Sequence, residues 1–332
     1  MKTDQPKSSL VADAMNVVRG MLMGGADVIP GVSGGTVALI LGIYERLVTA
    51  VSRFDLTLVG HARSGRLREA ADHIDLRFLI SLGAGIALGI LSLGAAMNGL
   101  LTNVSTRPPT LAAFFGIILA SSVLVARMIP KDSGSQAPLL VLLAVGGAIS
   151  AFWLTGLPHV HATLTPVYVF ICGAIGICAM ILPGISGAYL LLVLGAYLPL
   201  TGILKALPRG DVTGGDLVTV VIFGSGCAVG LLTFSKVLRW LLARHQAQTM
   251  AVLCGLMIGA LRRVWPFQRD LTPEVEDVGH KEFANIWPQA LDGSTLLCVA
   301  MAVVGLVAVF LLDRLTRGSS RQPLHVRSQP DA

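Results

Sequence analysis

Residues 27–36 read "DVIPGVSGGT" inside one apolar stretch, and residues 181–189 read "ILPGISGAY" inside another. An acid, a Pro-Gly and a Ser-Gly pair are out of place at the centre of a membrane helix. Proline removes a backbone donor and glycine loosens the chain, so each stretch breaks its helix. The two breaks share one register. A shift of 153 residues lays Pro30 on Pro183, Gly31 on Gly184, Ser33 on Ser186 and Gly34 on Gly187, and continues to Gly42/Gly195 and Tyr44/Tyr197. Eleven of the 28 positions from 20 to 47 are identical under that shift, which marks an internal duplication.

The surrounding composition fixes the class. Of 332 residues, 54% are hydrophobic and 13% charged, and six runs approach the ~20 residues that span a ~30 Å hydrocarbon core. Full crossings are expected at 77–101, 109–129, 137–157, 216–240, 248–264 and 295–313. The 37 glycines suit close helix packing in lipid. The opening "MKTDQPKSS" is polar with no h-region behind it, so no cleaved signal peptide is expected. The net charge of +6 is read as loop charge on one side of a membrane, not as a nucleic-acid surface. Cys172, Cys178, Cys227, Cys254 and Cys298 lie in apolar runs without metal or redox spacing, so they are read as packing residues. No cofactor or metal site is expected.

The broken regions, 15–52 and 165–205, have limbs too short to span comfortably at ~1.5 Å per residue. Basic residues decide between a kinked crossing and a hairpin that returns. With both regions re-entrant, 18 of the 25 Lys and Arg fall on one side; with both crossing, 11 do. The positive-inside rule favours re-entrance. The expected fold is an all-α polytopic membrane protein of two inverted repeats, each a re-entrant broken-helix hairpin plus three transmembrane helices. The first repeat is 1–157 and the second 165–313. The stretch 53–75 and a disordered tail at 314–332 are cytoplasmic, the N-terminus too, and 265–294 is an external loop.

Irregular backbone at membrane depth survives only where it is buried in protein or lines a polar cavity. The tips Pro30, Gly31, Ser33, Gly34, Gly35, Thr36 and Pro183, Gly184, Ser186, Gly187 each precede a helix start. Helix N-termini, hydroxyls and glycine suit a phosphate or carboxylate. A tight turn with a Ser cap is the plainer alternative for one copy, and two embedded copies weigh against it. Two roles are open to Asp27: a proton carrier, or a carboxylate that accepts backbone N–H groups and holds the loop. Glu45 and Arg46 are read as gate, head-group or interface residues. Arg262 and Arg263, beside Trp265-Pro266, are head-group contacts or snorkelling anchors. A "GxSG" serine hydrolase needs a histidine base, and all seven histidines fall in loops or the tail. A non-enzymatic transporter is therefore the expectation, with membrane lipids as its surroundings and a proton or sodium gradient as its coupling.

Three segments, "GMLMGGADVIPGVSGGTVALILGIYERL" (20–47), "AMILPGISGAYLLLVLGAY" (179–197) and "FGSGCAVGLLTFSKVL…GLMIGALRRVWPF" (223–267), resemble the bacterial polyprenyl-phosphate transporter family. The resemblance covers nearly the whole chain. It implies return of undecaprenyl phosphate from the outer to the inner leaflet of the cytoplasmic (inner) membrane, for reuse in cell-envelope synthesis. Carried over residue by residue, Asp27 and Pro30 to Thr36 form the first signature and Pro183 to Gly187 the second. Ala188 replaces the second glycine of the triplet, so the second tip is stiffer. A small-anion transporter or channel is the competing expectation, because inverted helix N-termini serve small anions equally well.

Overall fold

The computed structural model describes residues 10–27, 33–130, 136–157, 163–206, 211–274, 281, 283–288 and 290–319. The first half holds α1 (Leu10–Asp27), α2 (Gly34–Ile40), α3 (Tyr44–Ser52), α4 (Leu56–Arg63), α5 (Leu67–His73), α6 (Leu76–Thr102), α7 (Arg107–Arg127) and α8 (Ala137–Leu154). The second holds α9 (Pro166–Ile181), α10 (Gly187–Val193), α11 (Tyr197–Ala206), α12 (Gly214–Arg244), α13 (Gln246–Ala260), strands β1 (Gln268–Asp270) and β2 (Phe283–Asn285), and α14 (Gly293–Ser319).

Local chemistry sets several helix starts. Thr165 caps α9 just ahead of Pro166, and Thr213 with Asp216 forms a capping box on α12. Among the described residues, α6, α7, α8, α12 and α14 are long and apolar enough to cross a membrane. Their outward faces carry exposed Leu, Val and Ile, as lipid-facing helices do. The molecule is a multi-pass membrane protein.

Four helix pairs build it: α1 along α6, α9 along α12, α8 along α13 and α7 along α14. Small residues bring the backbones together. A Cβ on Gly20 would strike the carbonyl of Leu82, on Gly226 that of Phe170, on Gly255 that of Ala144, and on Gly116 that of Ala302. Contacts advance in the same direction along both members, as Val17/Gly85 and Met21/Gly89 illustrate for α1 and α6. The pairs are therefore parallel. The starts of α1, α6, α8 and α13 define a basic end, and the strands lie at the opposite, strand end.

The segment 10–52 begins and finishes beside the first turn of α6. Arg77 at that turn bonds Asp13 of α1 at 2.7 Å, and Asp75 just before it bonds Arg46 of α3 at 2.7 Å. In the second half Tyr168, near the start of α9, donates to the carbonyl of Leu194 at 2.8 Å. Entry and exit again sit together.

Several expectations need correction. Each broken region has a second break, at Gly42 (φ 68°) and Gly195 (φ 70°), and α2 and α3 meet at 118°. Positive φ is cheap only for glycine, which explains both positions. The crossing expected at 248–264 is the 15-residue α13, which ends at Ala260 and turns. At ~1.5 Å per residue it spans about 22 Å. It packs against α7, α8 and α12, with Met250 and Met257 fully buried, so most of its surface faces protein rather than lipid. The stretch 53–75, expected as cytoplasmic, folds into α4, capped by Asp55, and α5. Within the stretch 265–294, expected as a loop, three residues on each side pair as β1 and β2, a small addition to an otherwise all-α membrane fold. Finally, α14 continues to Ser319, six residues into the expected tail; residues 320–332 lie outside the described ones.

Candidate functional site

The two broken regions meet. Ser33 ends the first break and caps α2, its Oγ accepting the N–H of Gly35 at 3.1 Å. The same hydroxyl faces the carbonyls of Met180 and Leu182, each at 3.4 Å. Thr36 Oγ1 accepts the N–H of Gly184 at 3.0 Å. Tyr44 donates to the carbonyl of Ile181 at 3.0 Å. Ser33, Thr36, Tyr44 and Pro183 are all buried. Gly35 is required here, because a Cβ would stand 2.8 Å from the carbonyl of Ile181.

Asp27, the last residue of α1, turns its carboxylate onto the start of α2 and accepts the N–H of Gly34 at 2.6 Å. A carboxylate on a helix N-terminus is favoured by both the free N–H and the dipole. A Cβ on Gly34 would lie 2.5 Å from Asp27 Oδ2, so glycine makes the approach possible. In the second tip Ser186 caps α10 by accepting the N–H of Tyr189 at 3.3 Å. Gly187 packs under Met180. Asp27, Ser33, Gly34, Gly35, Thr36, Pro183, Gly184, Ser186 and Gly187 thus form one cluster, while Pro30 and Gly31 lie outside the described residues. Of the hydroxyls expected to face a ligand, those of Ser33 and Thr36 face the other tip's backbone in this conformation, and that of Ser186 caps its own helix.

Ser186 and Tyr189 also border a small gap that leads toward the strand end, lined by Thr155 and Arg263. Beyond it lies a cavity of about 490 Å³ bounded by Arg262, Arg263, Lys281, Gln268 and Asn285. Arg263 stands over the Tyr189 ring, its Cζ 4.6 Å from the centroid, and forms no ion pair among the described residues. Tyr189 donates to the carbonyl of Thr155 at 3.0 Å, which fixes the ring beneath it. Arg262 donates to the carbonyl of Phe152 at 2.8 Å and crosses Gly156, where any side chain would strike its guanidinium. Lys281 pairs with Asp270 at 2.6 Å, and this hydrogen bond holds the Asp270 carboxyl below its ordinary range. Among the described residues, one acid against three cations leaves the cavity positive.

Glu45 and Arg46 are elsewhere, at the basic end. Arg46 pairs with Asp75 rather than Glu45 and stacks on Phe78 at 4.2 Å. Such an exposed pair is worth about 0–1 kcal/mol. A second cavity of about 1080 Å³ opens there, bordered by Asn16, Arg46, Arg68 and Arg77. Of the histidines, His61 and His73 sit on the helices α4 and α5 instead of in loops, and His245 joins α12 to α13. The strand pair supplies Gln268 and Asn285, and Lys281 lies just before β2; sequence reasoning misses all three. The alternation-free segment 265–294 gives little strand signal, and its acids mask the cationic side chains it contributes.

Over residues 23–282 the chain matches the family model described as undecaprenyl phosphate translocase-like. A polyprenyl-phosphate transporter of Vibrio cholerae serotype O1 is 37% identical over 302 residues, covering 87% of this chain and 93% of the relative. A polyprenyl-phosphate transporter of Staphylococcus aureus is 29% identical over 260 residues, covering 76% and 86% respectively. No solved structure matches significantly.

Proposed function

We propose that this chain, which belongs to the undecaprenyl phosphate translocase-like family, transports a polyprenyl phosphate across a membrane. The observation that carries this reading is Arg263. It is a partly buried guanidinium without a carboxylate partner among the described residues, set between a cationic cavity and the second tip. Driving a phosphate into hydrocarbon costs several kcal/mol, and a guanidinium fork offsets that cost through paired hydrogen bonds. The polyprenyl tail needs no such help.

The charge distribution supports an outer-to-inner direction. With the basic end cytoplasmic, both termini are inside, and the cavity at the strand end faces the outer leaflet of the bacterial inner membrane. Undecaprenyl phosphate is loaded there and returned to the inner leaflet for reuse in envelope synthesis. The 153-residue register supports two inverted repeats, and so does the packing. Exchanging the halves turns α1·α6 into α9·α12 and α8·α13 into α14·α7.

In this mechanism the phosphate enters at Arg262 and Arg263 and descends past Tyr189 to Ser186. The bonds from Ser33 and Thr36 to the segment 180–184 close the path beyond. Parting the tips frees those hydroxyls for the phosphate and opens the way to the cavity beside Asn16 and Arg77. Protonation of Asp27 weakens its hold on the Gly34 N–H, which links parting of the tips to a proton gradient.

The test is reconstitution in vesicles, following a labelled polyprenyl phosphate beside chloride and sulfate. Movement of the lipid is expected. Flux of the small anions with a stationary lipid sinks the proposal and favours the anion transporter. Gly60, exposed on α4, tests orientation: a Gly60→Cys label reached only from the cytoplasmic side is expected, and external labelling overturns the re-entrant topology.

A further inference from the structure

The cationic cavity shares a wall with an apolar one. Arg262 and Asn285 line both, and on their far side a groove of about 440 Å³ runs between Phe115, Phe152, Ile258, Trp265, Ile286 and Trp287. Contacts within the protein hold the walls of the groove. Trp265 donates Nε1–H to the carbonyl of Ile286 at 2.9 Å, and its ring lies 5.7 Å from Phe115 and 5.2 Å from Trp287. Asn285 donates to the carbonyl of Arg262 at 2.8 Å, and Arg262 stacks on Phe152 at 4.4 Å, which ties the wall to both sides. Yet Trp287 is 80% exposed and Phe152 54% exposed.

We infer that this groove seats the first isoprene units of the polyprenyl phosphate whose head group occupies the cationic cavity. The inference rests on the transport reading above and adds a recognised tail to it. A charged pocket continuous with an aromatic groove, joined by one arginine, complements an anion on an apolar chain rather than a free anion. An interfacial aromatic belt accounts for Trp265 and Trp287 singly. It does not account for their closure around a recess that opens onto Arg262. The groove is short, so only the proximal units are held and the rest of the chain stays in lipid.

The experiment measures binding of farnesyl phosphate and of inorganic phosphate to the purified full-length protein. Trp287→Ser and Ile258→Ser, both at exposed positions, are compared with wild type. Each is expected to weaken farnesyl phosphate roughly tenfold, through lost apolar contact, and to leave inorganic phosphate unchanged. Arg263→Gln is expected to weaken both. In wild type, a diazirine on the first isoprene unit is expected to label the peptide holding Ile286 and Trp287, and unlabelled lipid to prevent it; this arm needs no variant to fold. If the lipid is transported but the variants bind farnesyl phosphate as wild type does, or the label falls on other faces, the groove assignment alone is wrong. If wild type neither binds farnesyl phosphate nor moves the lipid, the transport reading falls and the groove with it.

Discussion

Thr36 Oγ1 accepts the backbone N–H of Gly184 at 3.0 Å, joining two breaks that lie 148 residues apart in sequence. Both partners are enclosed, so no water replaces the bond. Thr36→Val keeps the shape and removes the acceptor, leaving a buried N–H unpaired at a cost of about 1–3 kcal/mol. Thermal unfolding in detergent is expected to drop for Thr36→Val and to stay near wild type for Thr36→Ser. Equal melting of the two variants would show that the bond holds nothing.

Gly184 answers to two constraints at once. Its φ of 87° disfavours any side chain, and a Cβ would stand 2.7 Å from the Met257 Cα in α13. Gly42, at φ 68°, has open space around its missing Cβ. Gly42→Ala therefore carries only the left-handed penalty of about 1–2 kcal/mol. Gly184→Ala adds displacement of a buried helix backbone. The expected order of folded yield and melting is wild type, Gly42→Ala, then Gly184→Ala. The reverse order would mean that α13 yields easily at Met257.

Asp27 separates charge from hydrogen bonding. Asp27→Asn retains an oxygen for the Gly34 N–H, whereas Asp27→Ala removes it. A neutral hydrogen bond contributes about 0.5–1.5 kcal/mol, so the alanine variant is expected to melt below the asparagine one. Transport by Asp27→Asn is expected to fall at least tenfold and to stop responding to an imposed pH gradient. A wild-type response in that variant places the coupling elsewhere.

Asp270 gives a pH signature at the strand end. Its carboxyl is held below its ordinary value of 3.8, first by the Lys281 hydrogen bond and further by the Thr272 N–H. A depressed folded pKa contributes stability that is complete above the ordinary value and is lost as pH falls through the lower one. Amide exchange at Phe283–Asn285 is thus expected to stay slow from neutral pH down to the ordinary carboxylate range. It should quicken only in stronger acid, and Asp270→Asn should abolish the acid step. Onset near neutrality would contradict the pairing.

How much of this was legible in the sequence depends on whether the signal was local. Pro30/Pro183 and Ser33/Ser186 announced the breaks, because proline and a capping serine act on their own backbone. Gly42 and Gly195 were visible as matched glycines, but no neighbouring proline marked a turn, so the second break went unread. The partners of Ser33 and Thr36 were not legible, since Met180, Leu182 and Gly184 contribute only backbone atoms. Composition carries no record of a carbonyl acting as acceptor. The cavity failed in the same way: Arg262 and Arg263 stood out as a pair, while Gln268 and Asn285 reach it only through the pairing of β1 with β2.

Arg263 and Gly156 make the last prediction. Arg263→Gln removes the cation beside Tyr189 and is expected to cut transport at least tenfold with little change in melting, since the guanidinium has no carboxylate partner among the described residues to lose. Arg263→Lys keeps the charge but not the planar fork, so partial activity is expected. Gly156→Val acts at one remove: its side chain would meet the Arg262 guanidinium, which can swing aside but then gives up the Phe152 carbonyl. That variant is expected to raise the substrate concentration needed for half-maximal transport while preserving the maximal rate. Arg262 would then serve capture rather than passage. A wild-type rate in Arg263→Gln would remove the cationic cavity from the transport path.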